Sequence, residues 1–132
     1  MFWEAEQAGL GTAFAAPVDV IFDQYNVTSP DLVFVVKDRL GILTEANIQG
    51  APDIIVEILS PSTRRRDLGI KMQIYARFGA PWYFVVDARA RTVQPYELIE
   101  GAYSPLPLLR DDDLLSCPLL PGVTTSVAVL FR

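Results

Sequence analysis

The fold of this chain is decided by residues 51–79, which read APDIIVEILSPSTRRRDLGIKMQIYARFG. Residues 54–59 of this stretch are apolar at both alternating sets of positions, which is typical of a central strand buried between two layers. Glu57 interrupts the apolar run. A buried carboxylate is costly unless it is paired, hydrogen-bonded or bound to a cation. The position of Glu57 therefore indicates an ion pair or a metal site.

A turn and a helix are predicted after this strand. Residues 60–63 read SPST, which provides turn residues and candidate helix caps, and the helix is expected to span residues 64–78. Gly79 and Pro81 end it. Asp67 and Lys71 lie four residues apart and therefore share one face of the helix. This spacing lets Lys71 reach back toward the end of the strand.

Composition restricts the chemistry that the chain can perform. The 132 residues, 51% of them hydrophobic, predict one globular domain covering residues 1–132. The chain has no histidine, and Cys117 is its one cysteine. Disulfide frameworks, cysteine-based zinc sites and serine-histidine or cysteine-histidine catalysis are thereby excluded within the chain. Carboxylates, lysine and tyrosine remain as reactive groups.

Charge and hydropathy give further expectations about location and partners. No apolar run approaches the length of a membrane span, and the first residues, MFWEAEQAGLG, do not resemble a signal peptide. A cytoplasmic protein that does not enter membranes is therefore expected. The net charge of −5 has the wrong sign for a general nucleic-acid binder. Any binding of DNA must therefore depend on local basic patches or bound cations.

The rest of the chain predicts a single α/β or α+β sheet with the helix covering one face. Residues 1–9 are expected to form a short helix, residues 37–41 a helical turn and residues 101–113 a loop. A proline at position 17 predicts that the strand over residues 12–22 is an edge strand or is bulged. The other predicted strands span residues 31–36, 82–87 and 92–98, with peripheral strands at 114–120 and 123–131.

Three residues are candidates for a catalytic site. Asp31 begins one predicted strand and Glu57 lies late in another, so antiparallel pairing of the two strands would bring the carboxylates together. Lys71 would add a cation. These groups suit phosphodiester hydrolysis that depends on Mg²⁺, or alternatively Mn²⁺. Asp53 is a poorer candidate, because four strand residues separate it from Glu57 by about 13 Å.

The same residues have structural interpretations. Glu57 is also expected to form a buried salt bridge with Lys71 or with one of Arg64, Arg65 and Arg66. The three arginines either form a solvated start of the helix or bind a phosphate backbone. The acidic run at residues 111–113 is interpreted as a solvated surface, although adjacent carboxylates can attract a divalent ion.

Two stretches resemble a known family: PDLVFV at residues 30–35 and GAPDIIVEILSPSTRRRDLGIKMQIYARFGAPWYFVVDARARTVQPYEL at residues 50–98. They are similar to the Uma-two-type restriction endonucleases, a branch of the PD-(D/E)xK nuclease superfamily. The resemblance implies a restriction-endonuclease-like core, a mixed central sheet flanked by helices. It also implies a Mg²⁺-dependent site in which Asp31 and Glu57 bind the metal. The superfamily lysine expected two residues after the glutamate is replaced by Leu59, so the resemblance assigns its role to Lys71.

The resemblance also bears on completeness and partners. Family members usually begin with a further segment carrying a strand hairpin and an acidic residue, so this chain is expected to be a fragment, a truncated product or a degenerate copy. A missing core strand would expose an apolar edge, which predicts a homodimer. The predicted function is a Mg²⁺-dependent DNA endonuclease in which Arg64, Arg65 and Arg66 contact the DNA backbone. The alternatives are an inactive structural or interaction module and a nucleic-acid-binding protein without cleavage.

Overall fold

The structure is a computed structural model that describes all residues from 1 to 132. It contains three short α-helices, which are α1 (Phe2–Gln7), α2 (Arg64–Asp67) and α3 (Ile70–Arg77), and two 3-10 segments at Lys37–Ile42 and Val127–Phe131. The strands are, in chain order, β1 (Gly11–Ala15), β2 (Val20–Ile21), β3 (Val27–Thr28), β4 (Leu32–Val36), β5 (Ile48–Gln49), β6 (Ile54–Ile58), β7 (Trp82–Asp87), β8 (Thr92–Ile99), β9 (Ala102–Pro105), β10 (Leu109–Arg110), β11 (Leu114–Ser116) and β12 (Thr124–Ser126).

Strand β6 lies inside the largest sheet, as its apolar sequence predicts. The strand order is β1, β4, β6, β7, β8 and β10, with β9 also paired to β8. β6 pairs antiparallel with β4 and parallel with β7, and α2 and α3 connect the parallel pair. The prediction of a mixed central sheet flanked by helices is confirmed.

The two faces of this sheet carry different cores, because successive side chains of a strand point to opposite faces. Ile54 and Val56 belong to a cluster of 12 buried residues on one face. Ile55 packs with Tyr75 of α3 in a cluster of eight on the other. Glu57 has the same parity as Ile55 and is only 1% exposed. It therefore lies under α3, between the sheet and the helix.

The predicted continuous helix over residues 64–78 is wrong at Gly69. This residue has φ −121° and ψ −103°, which is not a helical conformation, and it separates α2 from α3. A Cβ atom at Gly69 would lie 2.8 Å from the carbonyl oxygen of Arg65. The close approach of the two backbone segments therefore explains why glycine occupies the break.

Other predicted boundaries are partly wrong. The strand predicted over residues 12–22 is split into β1 and β2 around the cis bond between Ala16 and Pro17. β2 belongs to a separate three-stranded sheet with β3 and β5. The predicted loop at residues 101–113 contains β9 and β10, and residues 123–131 form β12 and a 3-10 segment. The short helix near the N-terminus and the helical turn after β4 are confirmed. None of the helices has the length and apolar character that a membrane span requires.

Candidate active site

Asp31 and Glu57 lie opposite each other where β4 begins and β6 ends. The antiparallel register pairs Leu32 with Val56, so the preceding and following residues face one another. The backbone N–H of Asp31 donates to Glu57 Oε1 at 3.0 Å. The N–H of Ile58 donates to Asp31 Oδ2 at 2.7 Å. These two hydrogen bonds hold both carboxylates at one end of the strand pair.

Lys71 completes the group from the second position of α3. Its Nζ atom lies 2.6 Å from Glu57 Oε2 and 3.3 Å from Asp67 Oδ1. The side chains of Lys71 and Glu57 are 14% and 1% exposed, so the ion pair is largely withdrawn from water. Glu57 and Lys71 are therefore in contact, and Asp31 lies at the same strand end, where its N–H bonds Glu57 and its carboxylate bonds the N–H of Ile58. The alternative pairing of Glu57 with the arginines of α2 is not the one observed.

Two side chains that the sequence analysis did not assign to the site also contribute. The Tyr75 hydroxyl donates to Glu57 Oε2 at 2.8 Å and lies 3.2 Å from the Thr28 hydroxyl. Asp67 is a second carboxylate partner of Lys71, and its backbone carbonyl accepts from Tyr83 at 2.8 Å. Tyr75 follows Lys71 by four residues, so helical spacing could have indicated its place on the same face.

Burial and pairing shift the ionisation of these groups. Burial raises the pKa of Glu57, and the hydrogen bonds from Lys71, Tyr75 and the Asp31 amide offset only part of this effect. Burial acts to lower the pKa of Lys71, but contacts with Glu57 and Asp67 outweigh it and the pKa is raised. Burial, followed by the nearby charge of Glu57, raises the pKa of Tyr75. Lys71 is therefore a cation and Tyr75 a hydrogen-bond donor at neutral pH.

The chemistry of the two carboxylates suits a magnesium ion, but the donor set is small. Glu57 Oε2 already receives two hydrogen bonds, whereas Glu57 Oε1 and Asp31 Oδ2 receive one each and Asp31 Oδ1 receives none. Carboxylate oxygen therefore remains available at Asp31 and at Oε1 of Glu57. No group of three or more acidic, histidine or cysteine side chains is arranged to hold a metal. Mg²⁺ is usually bound through one or two carboxylates, with water and substrate phosphate completing its shell, so the residues fit this ion.

The remaining candidate residues lie outside this cluster. Arg64, Arg65 and Arg66 are exposed, and the guanidinium of Arg64 lies 3.3 Å from Asp87 at the end of β7. Asp53 accepts the N–H of Val36 at 2.9 Å and a hydrogen bond from Arg39 at 2.8 Å, which gives it a structural role. The acidic run at residues 111–113 is exposed, as expected for a solvated surface.

The fold is a mixed sheet with helices packed against it, and Glu57 and Lys71 form an ion pair beside the end of β6. Residues 1–128 match the model of the Uma2 family, described as "Putative restriction endonuclease", and the chain belongs to that family. The chain is also similar to the crystal structure of "a putative nuclease belonging to DUF820" from Anabaena variabilis. That likeness has a TM-score of 0.76 and 20% sequence identity, and covers 96% of this chain and 71% of the other. No functionally curated protein matches the chain.

The family resemblance and the fold predicted from sequence are thus confirmed. The structural likeness supports the fold alone, because the identity is low. The catalytic and metal-binding roles of Asp31, Glu57 and Lys71 remain predictions, as do the contacts of the three arginines with DNA.

Proposed function

We propose that this protein is a Mg²⁺-dependent DNA endonuclease that hydrolyses phosphodiester bonds, with Mn²⁺ as an alternative ion. One observation carries the proposal. Lys71 Nζ lies 2.6 Å from Glu57, whose other oxygen accepts the N–H of Asp31. Membership of a family described as restriction endonucleases supports the choice of DNA as substrate.

The three residues have separate roles in this proposal. Asp31 and Glu57 would hold the ion, which when bound would neutralise phosphate charge and lower the pKa of a water molecule. Lys71 would stabilise the negative charge of the phosphate that is being hydrolysed. Tyr75 keeps Glu57 oriented, because its hydroxyl donates to Oε2 from the buried face of α3. The water would give up one proton to solvent as its oxygen bonds to phosphorus, one ester P–O bond would break, and the leaving oxygen would take up a proton in return.

A second candidate function is an inactive structural or interaction module. Its support is that Glu57 is 1% exposed and already has Lys71, Tyr75 and the Asp31 amide as partners. A carboxylate satisfied in this way stabilises a fold without binding a metal. The two candidates therefore differ in whether an ion can bind at Asp31 and Glu57.

The test is isothermal titration of Mg²⁺ and Mn²⁺ into wild-type protein and variants, followed by a nicking assay on supercoiled plasmid with the same samples. Glu57→Ala and the nearly isosteric Glu57→Gln are expected to lose binding and nicking together, because each removes a carboxylate ligand. Glu45→Ala is the matched control, since Glu45 is exposed and its loss gives the same charge change as Glu57→Ala. It is expected to behave as wild type.

The outcomes separate the two candidates. Metal binding and nicking that disappear in both Glu57 variants, while Glu45→Ala retains them, support the endonuclease. Wild-type protein that neither binds the ions nor nicks DNA contradicts the endonuclease and supports the inactive module. Circular dichroism of each variant checks that Glu57→Gln keeps the fold.

A further inference from the structure

A cleft with charged side chains in its lining lies at the carboxyl ends of the parallel strands β6 and β7, next in sequence to Glu57. Its volume is about 400 Å³. Its lining residues are Leu59, Ser60, Pro61, Arg64, Asp87, Arg89 and Ala90. Ligands of open α/β sheets commonly bind in the crevice beyond the carboxyl ends of parallel strands.

The cleft opens on the same side of the sheet as Glu57. Glu57 of β6 pairs with Val85 of β7, so the two side chains lie on the same face of the sheet. Asp87 follows Val85 by two residues and therefore lies on that face as well. Leu59 follows Glu57 by two residues, which at about 3.3 Å per residue places the cleft roughly 7 Å along the strand. Each strand of duplex DNA rises about 3.4 Å per nucleotide. Adjacent phosphates lie farther apart than this axial rise because the backbone winds around the axis, so a phosphate in the cleft would neighbour a phosphate at Glu57 on the same strand.

Local charge distinguishes the cleft from the rest of the chain. Two arginines and one aspartate line it, so its net charge is +1, whereas the whole chain carries −5. An acidic protein that binds DNA needs such a local positive site. The planar guanidinium group also matches phosphate geometry better than an ammonium group does.

Asp87 contacts the side chain of Arg64 and the backbone of the turn that carries Arg89. Asp87 Oδ2 lies 3.3 Å from Nη1 of Arg64, and Asp87 Oδ1 accepts the N–H of Ala90 at 3.0 Å. The second bond fixes the turn that carries Arg89. Arg65 and Arg66 do not line the cleft. Of the three consecutive arginines, Arg64 therefore differs from the other two, because it lines the cleft together with Arg89.

We infer that Arg64 and Arg89 form a subsite that binds one backbone phosphate of the DNA beside the scissile bond. The inference rests on the proposed function and adds Arg89 to it. Asp87 competes with the phosphate for Arg64. Removal of the Asp87 charge should therefore strengthen binding, whereas a purely structural role of Asp87 would give no gain.

The test measures binding of a fluorescein-labelled DNA duplex by anisotropy over a series of salt concentrations, first in EDTA and then in Mg²⁺. Arg89→Ala is expected to weaken binding roughly tenfold and to reduce the slope of log affinity against log salt by about 1, because one phosphate contact is lost. Arg89→Lys should recover part of the loss, and Asp87→Asn should bind more tightly than wild type. Arg91→Ala is the matched control, since Arg91 lies in the same turn but its guanidinium stacks over Phe131 at 5.8 Å.

The results separate this inference from the proposed function. Wild-type protein that binds no DNA in either buffer contradicts both. Wild-type protein that binds DNA while Arg89→Ala and Arg91→Ala behave alike contradicts the phosphate subsite and leaves the endonuclease standing. Loss confined to Arg89→Ala, with a gain in Asp87→Asn, supports the subsite. Thermal unfolding of each variant confirms that the fold is kept.

Discussion

Glu57 is a carboxylate inside an apolar strand, and its neighbours determine whether it is tolerated there. Lys71 supplies a cation at 2.6 Å, Tyr75 a hydroxyl at 2.8 Å and Asp31 a backbone N–H at 3.0 Å. Three donors satisfy the buried charge, which would otherwise destabilise the fold. A phosphate that bound at Lys71, or a metal that bound at Glu57, would therefore have to compete with the ion pair between these two residues.

Lys71→Met tests the strength of this pairing at neutral pH. Removing one partner of a buried ion pair costs about 3–5 kcal/mol, because the other charge is left without compensation. Lys71 keeps 14% exposure, so we expect a loss in the free energy of unfolding near the lower end of that range. Urea unfolding followed by the fluorescence of buried Trp82 measures it. In Glu57→Gln/Lys71→Met, most of the loss should be recovered.

The contribution of the Glu57–Lys71 ion pair to the free energy of unfolding should depend on pH. The pKa of Lys71 is raised above 10.5, so its contribution to stability is present below pH 10.5 and is lost as the pH rises through the raised pKa. The pKa of Glu57 is raised above 4.5, so the pair is also lost as the pH falls through that raised pKa. The stability difference between wild type and Lys71→Met should therefore be largest near neutral pH. A difference that stays constant across the whole range would contradict the ion pair.

At the scale of elements, the break between α2 and α3 orients the lysine. Gly69 leaves the helical conformation and α3 begins immediately afterwards, with Lys71 as its second residue. Asp67 on α2 nevertheless contacts Lys71 at 3.3 Å across the break. The two short helices thus both contribute to the contacts of Lys71 beside the end of β6.

Gly69→Ala is predicted to disturb the packing of α2 against α3. The added Cβ would meet the Arg65 carbonyl oxygen at 2.8 Å, so the backbone must shift. Overpacking of this kind costs about 1–3 kcal/mol. Thermal unfolding and the plasmid assay should show lower stability and less nicking. Gly41→Ala is the control, because a Cβ at Gly41 would contact nothing within 4 Å, and an equal effect of both substitutions would refute the role of the break.

At the scale of the whole molecule, the two faces of the main sheet differ in what they expose. The face with Glu57 is covered by α3, and the cleft lined by Arg64 and Arg89 lies beyond the end of β6. The opposite face has an open groove of about 250 Å³ with ten hydrophobic lining residues, Leu32, Val56, Ile58 and Phe84 among them. β1 forms an edge of the same sheet. Exposed apolar surface and open strand edges favour association.

The homodimer expected from the sequence stays a prediction. Size-exclusion chromatography with light scattering should give twice the 14.6 kDa chain mass at high concentration. Ile58→Glu, on a side chain that is 49% exposed and lines the groove, should shift the equilibrium toward the monomer if the groove contributes to the interface. A wild-type protein that remains monomeric at high concentration would contradict the prediction.

The local patterns of the sequence determined the central elements and the identity of the reactive groups. The apolar run predicted β6, and the aromatic and β-branched run predicted β7. The spacing of Asp67 and Lys71 placed the two side chains near each other, and they are in contact although the helix is broken between them. These features depend on periodicity within a few residues, so they can be read without the fold. The absence of histidine likewise limited the chemistry to carboxylates, lysine and tyrosine.

Tertiary structure alone decided what depends on distant segments. The antiparallel register set Asp31 opposite Glu57, and the packing of α3 on the sheet brought Tyr75 onto the same carboxylate. The cleft joins Arg64 to Arg89 through the parallel pairing of β6 and β7, which no local pattern reports. Register and packing are fixed by the cooperative burial of side chains across the sheet, so residues far apart in sequence become neighbours only when the whole fold forms.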